Sequence, residues 1–272
     1  MNIEITREQI EAYQRDGFTI LQDFLSPAEV EELLDAIAAA VEQTGSQRVA
    51  GEGRRDLVDD VNYNKVFLQR LNLWKINDTV KRYFLDPALG EVLCRLAGID
   101  GIRVWHDQTL QKGPWANATA WHMDNPKWSF HSYNSITIWV ALDDVTLQNG
   151  CLYYLPGSHR KTRHDLDSST TGSDMQDLFA IYPELHDVEA VPIELEAGGA
   201  ALHNSMISHA AGPNMTPRWR RAMTCSYMPE GATFNGLQNI LSPEQAAQLQ
   251  IGDVLEDEAM NPLVWSRQRA VA

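Results

Sequence analysis

The sequence predicts a mainly β protein with flanking helices, in the form of a sandwich or jelly roll. Two observations lead to this fold class: helix start and stop signals fill the first hundred residues, and from about residue 102 short β-rich segments alternate with turn-forming residues. With 272 residues and no repeat or low-complexity linker, the chain can bury its core as one domain. We therefore expect a single domain over residues 1–272, with a helical part over about 1–100, a jelly-roll core over about 101–230 and a C-terminal helical tail.

Capping patterns locate the predicted helices. Residues 6–9, 26–29 and 242–245 have the capping-box form, in which two side chains reciprocally satisfy unpaired backbone N–H groups at the start of a helix. After the second of these boxes, apolar residues recur at helical spacing until Gly45, which is a typical stop. Another helix is predicted over residues 86–98, from an Asp-Pro start to a glycine stop.

Short segments rich in β-branched and aromatic residues indicate the strands, and turn formers such as Asn149-Gly150 separate most of them. The predicted strands cover residues 18–25, 102–110, 135–142, 151–155, 191–195, 200–206 and 222–228. Residues 46–66 are polar and aperiodic, which predicts a loop. Residues 160–188 lie between strands and form a candidate lid.

Charge and cysteine content limit the partners and the cellular setting. The chain has 37 acidic and 22 basic residues, and the net charge of −15 argues against binding to nucleic acid or to an anionic membrane. No apolar run reaches membrane-spanning length, and the N-terminus lacks the basic and apolar parts of a signal peptide. Three widely spaced cysteines without a Cys-x-x-Cys motif are typical of a reducing compartment. We expect a cytoplasmic protein, either a monomer or a homo-oligomer.

Trp121-His122-Met123-Asp124 is the sharpest local feature of the sequence. In a strand, residues i and i+2 point to the same face, so His122 and Asp124 can converge while Met123 faces away. One imidazole and one carboxylate are two of the three ligands of a facial triad, which binds Fe(II) and leaves positions open for other ligands. The spacing alone is a weak signal, because the chain has eight histidines.

The third ligand must come from another part of the chain. His203 and His209 both lie in the late β region, and strand parity cannot choose between them because they are six residues apart. The turn at residues 212–216 favours His209, since it places this histidine roughly opposite Arg220 on the returning strand. A guanidinium beside a metal ligand can bind one end of a dicarboxylate while the other end chelates iron. Arg221 has the opposite parity and is expected to face away.

Four segments have a joint pattern that resembles a known family. They are residues 121–126, 139–144, 149–159 and 208–214, with Arg220 eleven residues beyond His209. This pattern resembles the phytanoyl-CoA dioxygenase (PhyH) family of Fe(II)- and 2-oxoglutarate-dependent oxygenases, over about residues 8–230. The resemblance implies the double-stranded β-helix, the cupin-like form of the jelly roll.

The resemblance also implies roles for individual residues. The implied iron ligands are His122, Asp124 and His209. Arg220 is implied to bind the distal carboxylate of 2-oxoglutarate, Thr137 and Trp139 to line the co-substrate pocket, and Lys112 matches a family lysine of less defined role. Ala210-Ala211 departs from the family, which often has a small residue and then a serine here. The missing hydroxyl would weaken co-substrate binding by about 1 kcal/mol without abolishing it.

The implied activity is that of an Fe(II)- and 2-oxoglutarate-dependent dioxygenase. Such a hydroxylase uses O2 to oxidise an unactivated C–H bond of a small molecule and releases succinate and CO2. Asp124 favours hydroxylation over halogenation, because family halogenases have a small residue in its place. The alternative is a non-redox or non-catalytic, cupin-like metal-binding protein, which would have no need for Arg220. The substrate, and the choice among hydroxylation, desaturation, dealkylation and ring formation, stay open.

Several residues near the His-x-Asp segment are candidates for the substrate site. The candidate substrate-binding residues are Gln108, Trp121, Asn125, Trp128 and His131. Core packing is an equal alternative for the tryptophans, which include Trp115, and solvation is the alternative for His131. A second metal pair at His106-Asp107 is less favoured than a packed or substrate-facing role. The basic run at residues 159–164 could bind an anionic substrate, although a solvated loop is favoured, and His159 is expected to have a structural role in a turn.

Overall fold

The computed structural model describes residues 1–45, 47–50, 65–167 and 175–270. The predicted loop at residues 46–66 therefore falls largely outside the described residues, as does the middle of the candidate lid at residues 160–188. The described α-helices are α1 (Arg7–Asp16), α2 (Pro27–Thr44), α3 (Asp78–Phe84), α4 (Pro87–Ala97), α5 (Asp177–Ile181), α6 (Pro243–Gln248) and α7 (Arg267–Ala270). None of these helices is long and apolar enough to cross a membrane.

The helix boundaries confirm the capping predictions. Thr6, Ser26 and Ser242 each accept a bond from the N3 backbone N–H, and the N3 side chain accepts one in return. Asp86 caps α4 through the backbone N–H groups of the next turn, and Gly98 ends it in the left-handed conformation. These local signals are sufficient to predict where a helix starts, because each one satisfies backbone N–H donors within a single turn.

The strands form two antiparallel sheets. They are β1 (Phe18–Leu21), β2 (Leu68–Leu71), β3 (Gly101–Lys112), β4 (Thr119–His122), β5 (Ile136–Ala141), β6 (Leu152–Tyr154), β7 (Val191–Ile193), β8 (Ala200–Asn204), β9 (His209–Ala211), β10 (Arg220–Pro229) and β11 (Leu263–Ser266). The larger sheet has the order β1-β8-β5-β10-β3-β11, with β2 also paired to β3, and the smaller sheet has the order β4-β9-β6-β7. Two facing antiparallel sheets with helices outside confirm the predicted jelly roll.

The larger sheet is buried on both faces. On β5, Ile136, Ile138 and Val140 pack with helices α1 to α4 in the main core. The alternate residues of the same strand, Trp139 and Ala141, belong to a second core between the two sheets. Burial on both sides explains why the strand reads as a continuous apolar run. The inner face borders the space between the two sheets, and a site can form there.

The C-terminal part differs from the predicted helical tail. It contains the short helices α6 and α7, but β11 also pairs with β3 at the edge of the larger sheet. Arg103, which is buried on β3, donates to the Asn261 carbonyl over 2.9 Å and to the Glu258 carboxylate over 2.9 Å. The strand was not predicted because its four residues are too few to show a clear alternating pattern, although the turn signal Asn261-Pro262 stands directly before it. Likewise, β1 ends at Leu21, four residues earlier than predicted.

Gly198 provides a test of how closely the N-terminal segment around Leu25 packs against the segment before β8. Its φ is +96°, and a Cβ added there would overlap the carbonyl oxygen of Leu25. Gly231 has a similar φ of +84°, but a Cβ there would meet nothing within 4 Å. We predict that Gly231→Ala lowers the free energy of unfolding by about 1 kcal/mol, from left-handed strain alone, whereas Gly198→Ala lowers it by more than about 3 kcal/mol. Urea unfolding of both variants checks this. Equal losses would contradict the packing described here.

Candidate metal centre

A cavity of about 390 Å³ lies between the two sheets. Its wall is formed by strands of both sheets and by residues outside them. The sequence-predicted residues in the wall are Gln108, His122, Asp124, Trp128, Thr137, Trp139, His209 and Arg220. The inner face of the jelly roll thus brings together most of the residues that the sequence singled out.

Strand pairing brings the two candidate histidine ligands together. In the ladder between β4 and β9, His122 lies directly opposite His209, and their ring centroids are 4.2 Å apart. Asp124 lies just beyond the end of β4, where its backbone N–H donates to the Ser205 carbonyl over 3.0 Å. The expected strand parity therefore does not place Asp124, since the chain has already turned into a 3-10 helix. It converges on the histidines nevertheless.

The three side chains form a group with the geometry of a metal site. One ligand atom from each of His122, Asp124 and His209 lies within 4.8 Å of the others. Asp124 Oδ1 is 3.7 Å from His122 Nε2 and 3.8 Å from His209 Nε2. Two imidazoles and one carboxylate are the donor set of the facial triad that binds Fe(II), so these residues fit that ion.

Backbone carbonyls orient both imidazoles for metal binding. The Nδ1 atom of His122 bonds to the Ala120 carbonyl over 2.8 Å, and that of His209 to the Ile207 carbonyl over 3.1 Å. A carbonyl only accepts hydrogen bonds, so in each ring the proton belongs on Nδ1. The lone pair is then on Nε2, which faces Asp124. This is the usual arrangement of metal-binding histidines.

The protonation states also suit a metal ion. Burial lowers the pKa of His209 to about 4 and the pKa of His122 well below its ordinary value. Burial alone would raise the pKa of Asp124, but the imidazoles of His209, His203 and His122 outweigh it and the pKa is lowered. At neutral pH the group is therefore two neutral imidazoles and one carboxylate, which are the forms that bind metal.

Arg220 lies in the same cavity wall. Its side chain is buried, at 2% exposure, with its Cζ 5.3 Å from the centroid of the Trp139 ring. Nη1 donates to the Leu110 carbonyl over 3.3 Å, and Nε has no hydrogen-bond partner among the described residues. Burial lowers the pKa of Arg220 to about 10, so the guanidinium is still charged at neutral pH. A buried cation with free donors can bind a carboxylate in a bidentate manner.

Arg221 shows the opposite parity, as predicted. Its Nη2 is 2.6 Å from Asp143 Oδ1 and its Nε is 2.9 Å from Asp143 Oδ2. The two adjacent arginines of β10 therefore face different environments. One pairs with a carboxylate of the protein, and the other points into the cavity.

Two further candidate co-substrate residues differ in position. Thr137 lines the cavity, and its hydroxyl is 3.0 Å from the Ser226 hydroxyl. Lys112 is paired with Arg220 in the β3–β10 ladder, but its side chain is not part of the cavity wall. Its Nζ donates to the Asn117 carbonyl over 2.6 Å, and burial together with Arg220 lowers its pKa to about 6. Lys112 thus lies behind the wall rather than in it.

The structure does not bring three of the candidate substrate residues to the cavity. Trp121 points away from it and packs against Phe179, with ring centroids 6.1 Å apart. Asn125 is buried and organises its own loop: its amide accepts from the Ser132 backbone N–H over 3.0 Å. His131 is exposed and stacks on His164 at 4.7 Å. Closeness in sequence to His122 predicted these residues, but each points away from the inner face.

The structure also bears on the alternatives for the His106-Asp107 pair, for the basic run and for His159. His106 and Asp107 do not form a metal pair, in agreement with the favoured packed or substrate-facing role: the Asp107 carboxylate accepts from the backbone N–H groups of Leu73 and Trp74 on the opposite face. The basic run at 159–163 lines a separate groove beside Tyr13, so it is not at the mouth of the central cavity. His159 packs against Gly17, in agreement with a structural role.

Sequence reasoning missed several residues of the cavity wall. They are Arg48, Gln69, Leu71, Lys127, Asn239 and Ile240. By contrast, His106, which was expected to be packed or substrate-facing, lines the cavity and has no partner for Nδ1 in the described part of the chain. Its strand parity with Gln108 agrees with this position. The others lie on β2 or on long connections that have no periodicity.

A jelly roll with a buried His-x-Asp and a distant histidine defines a class of non-haem iron proteins, and comparison with known proteins agrees. The phytanoyl-CoA dioxygenase (PhyH) family model matches residues 13–222. A dioxygenase of Epichloe uncinata, lolE1, is 26% identical, and the match covers 82% of each chain. A methylphosphonate hydroxylase of Gimesia maris is 26% identical over 84% of this chain and 82% of its own.

A solved structure gives the same result. The crystal structure of the non-heme alpha-ketoglutarate-dependent carbocyclase SnoK from nogalamycin biosynthesis has a TM-score of 0.76 and 26% identity, with 96% of both chains covered. This chain therefore belongs to the phytanoyl-CoA dioxygenase family. It is an Fe(II)- and 2-oxoglutarate-dependent dioxygenase, with O2 as its second co-substrate.

The metal group, which is His122, Asp124 and His209, can be tested by removing its histidines. We expect His122→Ala and His209→Ala each to weaken Co(II) binding by roughly 100-fold or more, because loss of a ligand costs more than loss of an outer partner. His131→Ala, which removes an exposed histidine outside the cavity, is the matched control and should bind Co(II) normally. Titration followed by visible absorption measures the affinities. Unchanged binding by His209→Ala would show that the third ligand lies elsewhere.

Proposed function

We propose that this enzyme hydroxylates an unactivated C–H bond of a small molecule and releases succinate and CO2 from 2-oxoglutarate. The observation behind the proposal is that the metal group and the buried guanidinium of Arg220 line one cavity. A non-catalytic metal-binding protein would need the first but not the second. Binding of 2-oxoglutarate requires both: a metal ion for its keto-acid end and a cation such as Arg220 for its distal carboxylate.

The metal ligands have a positioning task. His122, Asp124 and His209 would hold Fe(II), which supplies the chemistry that couples O2 to decarboxylation of 2-oxoglutarate and oxidation of the substrate. Three protein ligands leave the remaining positions of the ion open for exchangeable ligands. The carbonyls that fix both imidazoles keep these ligands in place without adding charge. The residues thus create an open but pre-organised site.

Arg220 would bind the distal carboxylate of 2-oxoglutarate. Its guanidinium retains donors, and the nearby Trp139 ring helps to shield it from bulk solvent. Thr137 lines the same cavity and supplies a hydroxyl, whereas Ala211 lines it without one. Binding would therefore depend strongly on Arg220. Lys112 would act indirectly, through its position beside Arg220 in the β3–β10 ladder.

The substrate would occupy a part of the cavity farther along β3 from the Lys112–Arg220 pair. Gln108, Trp128 and His106 line this part and offer an amide, an indole face and a neutral imidazole. A mixed polar and aromatic wall suits a small molecule that is held by a few hydrogen bonds and by stacking. The names of relatives include both a hydroxylase and a carbocyclase. We propose hydroxylation rather than halogenation because Asp124 is retained, and ring formation stays an alternative outcome of the same chemistry.

The cellular setting and partners are part of the same proposal. Cys94, Cys151 and Cys225 are buried and unpaired, which supports a reducing, cytoplasmic location. The net charge of −15 supports the absence of a nucleic-acid partner. A small-molecule substrate needs no partner chain, so a monomer would suffice.

The neighbouring arginines of β10 test the co-substrate site. We predict that Arg220→Ala raises the dissociation constant of 2-oxoglutarate about 100-fold, since a charge-assisted bidentate contact is worth roughly 3 kcal/mol. Arg221→Ala is the matched control and should change it less than about twofold, because Arg221 pairs with Asp143 and does not line the cavity. The measurement is the visible charge-transfer band that forms anaerobically with Fe(II) and 2-oxoglutarate. An Arg220→Ala protein that forms the band at wild-type concentrations would refute the assignment.

Ala211 tests the missing hydroxyl. Ala211→Ser is expected to tighten 2-oxoglutarate binding by about fivefold, which corresponds to one added neutral hydrogen bond of about 1 kcal/mol. Co(II) affinity without 2-oxoglutarate should stay the same and serves as the control. Weaker or unchanged co-substrate binding would mean that the hydroxyl cannot reach it.

A further inference from the structure

We propose that His203 and Tyr154 form a buried relay that holds the Asp124 carboxylate in its metal-binding orientation, and that neither residue is itself a metal ligand. The proposal rests on the role of Asp124 in the proposed function. It assigns a positioning task to two residues that the iron site and the co-substrate site leave unexplained. The relay consists of three side chains in contact: Tyr154, His203 and Asp124.

The two oxygens of Asp124 face different partners. Oδ1 faces the two candidate ligand nitrogens, at 3.7 Å from His122 and 3.8 Å from His209. Oδ2 lies 3.4 Å from Nε2 of His203. One oxygen of the carboxylate is thus available to a metal ion, and the other is within hydrogen-bond distance of His203. Rotation of the carboxylate would break the second contact.

The donor order of the relay follows from the chemistry of its members. The Tyr154 hydroxyl is 2.8 Å from Nδ1 of His203. Burial raises the pKa of Tyr154 well above its ordinary value, so it is a neutral phenol with a proton to donate. An imidazole that accepts at Nδ1 carries its proton on Nε2 when it is neutral. Nε2 of His203 can then donate to the carboxylate of Asp124, which only accepts.

His203 has the wrong position to be a ligand. Both of its ring nitrogens are already used, by Tyr154 and by Asp124. It lies on β8 of the larger sheet, whereas His122 and His209 lie on paired strands of the smaller sheet. The relay therefore joins the two sheets across the cavity. It ties the one ligand that lies outside a strand, Asp124, to a rigid strand opposite.

The surroundings keep the relay in place. Tyr154 is fully buried, and its ring stacks on Phe18 with centroids 4.7 Å apart. Phe18 is paired with His203 in the β1–β8 ladder, and Tyr154 is paired with His209 in the β6–β9 ladder. Hydrogen bonds in such a buried chain reinforce one another. Removing an outer partner of a metal ligand typically weakens metal affinity by about 10–100-fold.

Metal affinity and the Co(II) spectrum test the relay without a substrate. Tyr154→Phe removes only the hydroxyl and keeps the ring against Phe18, and we expect Co(II) binding about tenfold weaker than in the wild type. Tyr227→Phe is the matched control, because it also removes a buried tyrosine hydroxyl, bonded to the Phe84 carbonyl over 2.8 Å, but one that is unconnected to Asp124. It should bind Co(II) with wild-type affinity. Thermal unfolding checks that both variants fold.

Variants of His203 complete the test. His203→Leu should weaken Co(II) binding by about 10–100-fold and alter the visible ligand-field bands, while His203→Gln, which keeps a donor, should recover part of the affinity. Wild-type affinity and spectrum in both Tyr154→Phe and His203→Leu would overturn the relay. So would a loss in His203→Leu as large as in His122→Ala with no effect of Tyr154→Phe, since His203 would then be a ligand. Failure of the wild type to bind Co(II) would refute the metal site itself, and the relay with it.

Discussion

The pairing of β4 with β9 is the constraint on which the site depends. It places His122 opposite His209 inside a cavity that is closed by two sheets. In a strand the side-chain period is two, so a slip of one residue in either strand would turn one histidine out of the cavity. The pairing of β4 with β9 therefore determines that His209, which is distant in sequence from His122, is the second histidine of the site. Asp124 completes the group only because the chain leaves β4 immediately after His122.

The same strands provide both stability and chemistry. On β5, one face packs under the helices while Thr137 and Trp139 face the cavity. The inner face bears groups that are costly to remove from water, namely the buried, charged Arg220 and the partly buried carboxylate of Asp124. Such groups reduce the stability of the ligand-free protein and are compensated when ions of opposite charge bind. Packing of the apolar outer face against the helices offsets the free energy that these charged groups cost.

Much of the fold and part of the site could be predicted because their signals are local. Capping boxes at Thr6 and Ser26 act within one turn, and the parity that separates Arg220 from Arg221 acts within one strand. The substrate wall could be predicted only in part, since Gln108 and Trp128 line the cavity but other candidates do not. Trp121 and Asn125 are neighbours of His122 in sequence, yet they point into other parts of the protein. The contact between His203 and Asp124 joins two sheets, and no spacing in the sequence encodes such a distance.

The position of the iron tests the account most directly. Crystals grown anaerobically with Fe(II), with diffraction measured on both sides of the iron absorption edge, would locate the ion. The account predicts one main anomalous peak about 2 Å from Nε2 of His122, Nε2 of His209 and Oδ1 of Asp124. His203 should still face the other oxygen of Asp124. A peak that includes His203 among its ligands, or that lacks either His122 or His209, would contradict the account.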